Sequence, residues 1–281
     1  MKIAVIGAAN VDICGTPDAA LRERDSNPGT VGISYGGVAR NIAFSLRELG
    51  AEVRLIAALG DDDPGAAIRS GCEAAGIDMS LSPTVPGEAT SSYLYITDGR
   101  GDMRLAVSDI RISRNIDEAF LSRIMPELNS CDGVVIDGNL TDAALRFAAE
   151  HITVPLYADA VSCAKAEKLR PVFGSLRAFK ANLLEAQTLT GETEPEAAAR
   201  ALLACGIRRV FVSLGARGLL ACEGETCVRI AAEGGTVSGD VTGSGDASAA
   251  GMIFADLSGF GLRETAKLAN HEGAQAAKRN K

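Results

Sequence analysis

Short apolar runs and helical spacings alternate along most of this chain. Residues 2–7 are a β-branched and apolar run ending in small residues, which predicts a buried parallel strand with a functional loop at its carboxyl end. Val38, Ile42, Leu46 and Leu49 then recur on one helical face, and the strand-like run 53–58 follows. Residues 64–75 predict another helix. Runs at 134–137, 155–159, 178–181 and 209–214 predict strands, separated by helical stretches at 142–150 and 195–204, the second with Pro195 in its first turn. That alternation implies parallel βαβ units with helices on both faces of a sheet.

Two stretches break the rhythm. One is 14–34; the other is a hairpin in which runs 91–96 and 103–107 flank Asp98-Gly99-Arg100-Gly101-Asp102. Periodicity fits either two ordinary edge hairpins or a small β lid standing off the main sheet. At 281 residues the chain has room for one large α/β domain or two small ones.

Composition narrows the function classes. With 47% apolar residues the chain can bury a substantial core, and its net charge of −8 argues against a nucleic acid or a membrane surface as partner. No apolar run approaches membrane-spanning length, and residues 1–12 read directly as a first core strand rather than a signal peptide. Seven scattered cysteines, without a C-x-x-C pair or nearby His, predict reduced core thiols and a cytoplasmic protein. Only His151 and His271 are available, which leaves His-centred nucleophilic and zinc chemistry little to work with. After the first strand the chain offers Gly7-Ala8-Ala9-Asn10, without the G-x-G-x-x-G of a dinucleotide fold.

The densest chemistry lies at Asp240-Val241-Thr242-Gly243-Ser244-Gly245-Asp246. Glycines flanking Ser244 let backbone amides converge at a helix start, where the dipole favours an anion, and Asp246 on the first turn can accept a proton from an attacking alcohol. A glycine-rich loop with a capping Asp fits equally well. Asn10 and Asp12 follow the first strand, where open α/β sheets bind ligands, and a carboxylate there can accept from vicinal hydroxyls; an isolated Asn-x-Asp is also common turn chemistry. Asn182 and Glu185 share a helical face, as a capping pattern or as a metal site. Ser213-Leu214-Gly215-Ala216-Arg217-Gly218 is a turn after an apolar strand.

A second motif joins these. Gly36-Gly37-Val38-Ala39-Arg40-Asn41-Ile42-Ala43, followed after six residues by Gly50 and after nine more by Gly60, lies about 200 residues before the cradle. Together the two segments resemble the paired signatures of the PfkB, or ribokinase-like, carbohydrate and nucleoside kinases, with every position of both patterns matched. The resemblance implies one kinase domain over 1–281, an α/β/α sandwich with a mainly parallel central sheet, carrying a lid from about 13–34 and 88–110. It implies Asp246 as general base beside a cradle of Gly243, Ser244 and Gly245, and a substrate site of Asn10, Asp12, Gly36, Gly37, Arg40 and Asn41. It further implies nucleotide contacts from Asn182, Ser213, Gly215 and Gly218, Mg²⁺ held through water by Glu185, and a monovalent cation, potassium, near Asp240 and Thr242. ATP is the implied donor. If 14–34 and the 90–107 hairpin present an exposed β face, two subunits could pair through this lid as a homodimer.

Segments outside the signatures, among them Asp159-Ala160-Val161-Ser162-Cys163-Ala164-Lys165-Ala166, resemble the pseudouridine kinase branch of that family. That implies transfer of the ATP γ-phosphoryl group to the 5′-hydroxyl of pseudouridine. Other sugar or nucleoside kinases and a non-catalytic nucleoside-binding protein stay open. Ser248 stands where relatives commonly carry Phe, and relatives usually continue through another loop and strand beyond the helix predicted at 263–278. The first departure implies looser packing behind the helix, the second altered nucleotide affinity or cation dependence.

Overall fold

The computed structural model describes residues 1–98, 102–233 and 243–279. In chain order the strands are β1 (Lys2–Ile6), β2 (Asn10–Pro17), β3 (Gly29–Gly36), β4 (Glu52–Ile56), β5 (Leu59–Gly60), β6 (Thr84–Val85) and β7 (Ser92–Thr97). There follow β8 (Met103–Asp109), β9 (Gly133–Asp137), β10 (Leu156–Asp159), β11 (Leu176–Asn182), β12 (Arg209–Ser213), β13 (Leu219–Glu223) and β14 (Thr226–Ile230). The main sheet has the order β14-β13-β12-β11-β10-β9-β1-β4. Its strands pair in parallel from β4 to β12, and β13 and β14 close the far edge antiparallel.

Period-two alternation sends each strand into two cores. Ile3 and Val5 of β1 join Ile42, Leu46, Met252 and Ala269 on one face, while Ala4 and Ile6 join Leu121, Leu145 and Leu202 on the other. Burial on both faces explains why these strands read as continuous apolar runs. The helix Ser244–Leu257 is buried almost all round, packed between the helices Val38–Glu48 and Leu262–Arg279. Its last turn is tied to the sheet through Asp256, which accepts from the Tyr157 hydroxyl at 2.6 Å and from the Arg177 Nε and Nη2 at 3.0 Å each. Such charge-assisted bonds at one end fix where the other end points.

The two stretches that break the rhythm form one separate sheet, in the order β3-β2-β7-β8. Its two faces differ. Asp12, Ser34 and Tyr95 lie toward a cavity, whereas Ile33, Leu94 and Val107 align across the strands on the other face and are exposed. Asn10 and Asp12, expected just beyond the first strand, therefore begin the lid's own strand β2.

The expectation of seven reduced thiols fails at two positions. Cys222 and Cys227 stand directly opposite each other in the antiparallel β13–β14 pair, with Cα atoms 4.2 Å apart, and are joined as a disulfide. Residues separated by five in sequence meet because a tight hairpin puts them in register. Among the described residues no helix is long and apolar enough to cross a membrane.

Candidate functional site

Gly243, at φ 78°, begins the helix Ser244–Leu257 without any side-chain cap. The first amides of that helix consequently lack intrahelical partners and form the positive end of the dipole, an anion seat built from backbone. Asp240 and Thr242 lie outside the described residues. Asp246 sits on the same first turn, 9% exposed, and its Oδ2 accepts from the Asn41 Nδ2 at 2.8 Å. Asn41, expected on the wall of a sugar site, thus also holds the carboxylate.

Asn41 reaches that position because its helix starts unusually close to the β1–β2 turn. Gly37, at φ 100°, leaves no room for a side chain: a Cβ there would lie 2.4 Å from the Ala8 carbonyl oxygen and 2.7 Å from the Asn10 Oδ1. Gly36 is excluded from carrying one for a different reason. Its Cβ would fall 2.0 Å from the Asp12 Oδ2, so the carboxylate occupies the space beside bare backbone. The Asn10 Nδ2 donates to the other Asp12 oxygen at 2.5 Å. Burial pushes the Asp12 carboxyl up to about 6, against the opposing pull of the Asn10 hydrogen bond and the Arg40 charge. Arg40 donates to the Tyr35 carbonyl at 2.7 Å and lies over the Phe44 ring at 4.3 Å.

Asp12, Gly36, Arg40, Asn41 and Gly243 line one cavity of about 600 Å³ between the lid and the body. Ser213, Gly215, Gly218, Ser244 and Gly245 line a second, of about 270 Å³, on the other side of the helix start. The helix start that carries Asp246 thus borders both pockets, Gly243 lining the larger and Ser244 and Gly245 the smaller, while Asp246 itself is buried behind them against Asn41. Gly218, at φ 89°, lets the turn after β12 lie against the end of β14, since a Cβ on it would strike the Ile230 carbonyl oxygen at 1.9 Å. Ser248 lines the same pocket one helical turn beyond Ser244, and its buried Oγ has no hydrogen-bond partner among the described residues.

Behind Asp246 lies a charged group whose chemistry the sequence reading left unassigned. Lys180, fully enclosed at the end of β11, forms an ion pair with Asp159 at the end of β10, Nζ to Oδ2 3.3 Å. Its Nζ is 2.8 Å from where a Gly245 Cβ would stand. Burial alone lowers the Lys180 pKa, yet Asp159, Glu185 and Asp246 around it raise it on balance and keep the ammonium charged. Asp159 is steadied by the Val161 amide at 2.8 Å, with Val161 itself at φ 66°. A β-branched residue in the left-handed region is strained, and such strain persists only where the surroundings enforce it. The available signal was a Lys inside the apolar run Phe179-Lys180-Ala181, at the carboxyl edge of a parallel sheet.

Burial, followed by the Asp159 charge, pushes the Asp246 carboxyl up to about 7; the Asn41 hydrogen bond and Lys180 pull the other way. A carboxyl group poised there exchanges a proton readily near neutral pH. Asn182 and Glu185 form a reciprocal capping box, with the Glu185 amide donating to the Asn182 Oδ1 at 2.9 Å and the Asn182 amide donating to the Glu185 Oε2 at 2.7 Å. The capping pattern is realised, and it uses one Glu185 oxygen. Among the described residues no cluster of three His, Cys, Asp or Glu side chains is arranged to enclose a metal. A magnesium ion that keeps most of its water and sits on phosphates needs only one or two carboxylates, so Glu185 suits it.

Comparison with known proteins places this architecture. The model of the pfkB family carbohydrate kinases matches residues 1–281. The pseudouridine kinase of Escherichia coli (strain K12) is 32% identical over 275 residues, which cover 95% of this chain and 87% of that protein. A carbohydrate kinase structure from Agrobacterium tumefaciens superposes with a TM-score of 0.82 at 26% identity, covering 99% of this chain and 96% of that one. Ribokinase from Thermotoga maritima shares the fold with a TM-score of 0.84 at 19% identity, over 98% and 91% of the two chains. With its ribokinase-like α/β fold and both signature segments, this chain belongs to the PfkB family of carbohydrate kinases.

Proposed function

We propose that this protein transfers the γ-phosphoryl group of ATP to the 5′-hydroxyl of a nucleoside, with pseudouridine the preferred acceptor and pseudouridine 5′-phosphate the product. Kinases of this family are phosphotransferases acting on alcohols, and the similarity to a pseudouridine kinase supports the choice of acceptor. The observation that carries the reading is the Asp246 carboxylate, buried on the first turn of a bare helix start whose residues line two cavities, and held by Asn41, which lines the larger.

The acceptor lies in the larger cavity with its vicinal hydroxyls donating to Asp12. Its 5′-hydroxyl points to Asp246, which takes the proton as the oxygen attacks phosphorus in line. Charge developing on the transferred group meets the amides of Gly243, Ser244 and Gly245 and the Lys180 ammonium, donors already in place before the reaction. The nucleotide occupies the smaller cavity against Ser213, Gly215 and Gly218, with Asn182 nearby. Glu185 would hold Mg²⁺ through water, and that ion would neutralise phosphate charge; Asp240 and Thr242, outside the described residues, would hold a potassium ion. Arg40 is the one basic residue of the substrate motif, and Arg279, which lines the same cavity, is paired with the Glu48 carboxylate, an arrangement that favours an unphosphorylated acceptor.

The whole chain acts as one kinase domain, and two copies pair through the exposed apolar face of the lid. Product formation from ATP and Mg²⁺ with pseudouridine, uridine, adenosine or ribose tests the reading. Pseudouridine should give the highest kcat/KM. Nucleoside binding without product from any of the four would identify a non-catalytic binder and overturn it.

A further inference from the structure

The larger cavity extends well past the residues that the proposed chemistry uses. Asn41, Phe44, Ser45 and Glu48 all line it, spaced i, i+3, i+4 and i+7 along the helix Val38–Glu48. One helical face therefore forms one wall. From Asn41, which holds the base Asp246, to Glu48 is seven residues, about 10 Å at a rise of about 1.5 Å per residue. A pentose reaches only part of that distance: four bonds of about 1.5 Å separate its 5′-oxygen from its anomeric carbon, a span of roughly 5 Å. A volume of about 600 Å³ likewise falls in the range of pockets that hold ligands larger than a bare sugar.

At the far end stands an ion pair. The Arg279 Nη1, from the helix Leu262–Arg279, donates to the Glu48 Oε2 at 2.7 Å, and both side chains are 55% exposed at the cavity rim. Such an exposed pair contributes little to stability, about 0–1 kcal/mol. That contact uses one carboxylate oxygen and one guanidinium nitrogen, which leaves an acceptor and donors on two residues that both line the cavity. Phe44 lies between Asn41 and Glu48 along the same helical face, and Tyr95 of the lid lines the cavity as well.

We infer that Glu48 and Arg279 read the edge of a heterocyclic base, with the carboxylate accepting a ring N–H and the guanidinium donating to the adjacent ring carbonyl. Resting on the nucleoside reading above, this assigns a specificity site to the same cavity. A ring with a lactam or imide edge, such as a uracil joined through nitrogen or carbon, fits the pair. A base whose edge at that position carries only acceptors leaves Glu48 unmatched, and the mismatch of a charged group is the larger penalty.

Binding of pseudouridine, its ring N-methylated analogues and ribose, measured by calorimetry on the parent, Glu48→Ala and Arg279→Ala, tests the site without requiring turnover. Loss of one charge-assisted hydrogen bond should lower the ratio of pseudouridine to ribose affinity about ten-fold or more in each variant. N-methylation at the contacted position should weaken binding to the parent and have little further effect in Glu48→Ala. An unchanged ratio, or methylation that weakens parent and variant equally, overturns the assignment. A parent that binds pseudouridine with the expected ratio but forms no product leaves the base site standing and defeats the kinase reading instead; one that prefers ribose defeats both.

Discussion

In the proposed reaction Asp246 would be the general base, and its surroundings set its pKa. Replacing it with Asn preserves an oxygen for the Asn41 amide but removes the base, so kcat should fall roughly 10²- to 10⁴-fold while calorimetric nucleoside affinity is retained. The same carboxyl group sets a pH dependence. Held at about 7, Asp246 is mostly ionised only above neutrality, and Asp12, at about 6, takes up a proton on further acidification. Log kcat/KM should be flat above about pH 7.5, fall with unit slope below 7, and steepen below 6; a profile level down to pH 5 would exclude both assignments. Stability carries the opposite sign. Because the folded-state pKa lies above the ordinary 3.8, the folded protein binds this proton more tightly than the unfolded chain, and ionisation costs stability progressively between about pH 4 and 7. Asp246→Asn removes that cost. Its Tm should therefore exceed the parent's by more at pH 8 than at pH 4.5.

At the scale of elements, strand and helix positions were largely legible, because period two and period 3.6 report burial directly. The expected strands at 134–137 and 209–214 correspond to Gly133–Asp137 and Arg209–Ser213, and the expected helix at 64–75 to Asp63–Ala74. Contacts that depend on how two elements abut were hidden. Nothing in Gly36-Gly37 states which atoms crowd them; the Ala8 carbonyl and the Asp12 carboxylate do so only once β1, β2 and the helix Val38–Glu48 meet. Gly37→Ala combines an unfavourable φ with a backbone clash, and should cost upward of about 1 kcal/mol in urea denaturation. Because the displaced helix carries Asn41, nucleoside affinity should weaken in the same variant, which a surface Gly→Ala change such as Gly71→Ala, with open space at its Cβ, should not reproduce.

For the whole molecule, the lid's exposed face poses the question of assembly. Val31, Ile33, Leu105 and Val107 are each 60% exposed or more, an apolar row that a monomer would leave in water. Pairing through it should give a dimer by light scattering at micromolar concentration, and Ile33→Glu with Val107→Glu should return the monomer; a parent that is monomeric under those conditions removes the proposal.

Sequence by itself determined the class of the fold and pointed to a helix start after Gly243, since both follow from local properties: apolar periodicity, and glycines that free backbone amides before an Asp. It also carried both family signatures. Only the tertiary structure decided that Asn41 holds Asp246 across 205 residues, that Lys180 and Asp159 stand behind it, and that Cys222 meets Cys227. Parallel crossovers bring strand ends from distant parts of the chain to one edge of the sheet, and a charge's partners there are set by that convergence.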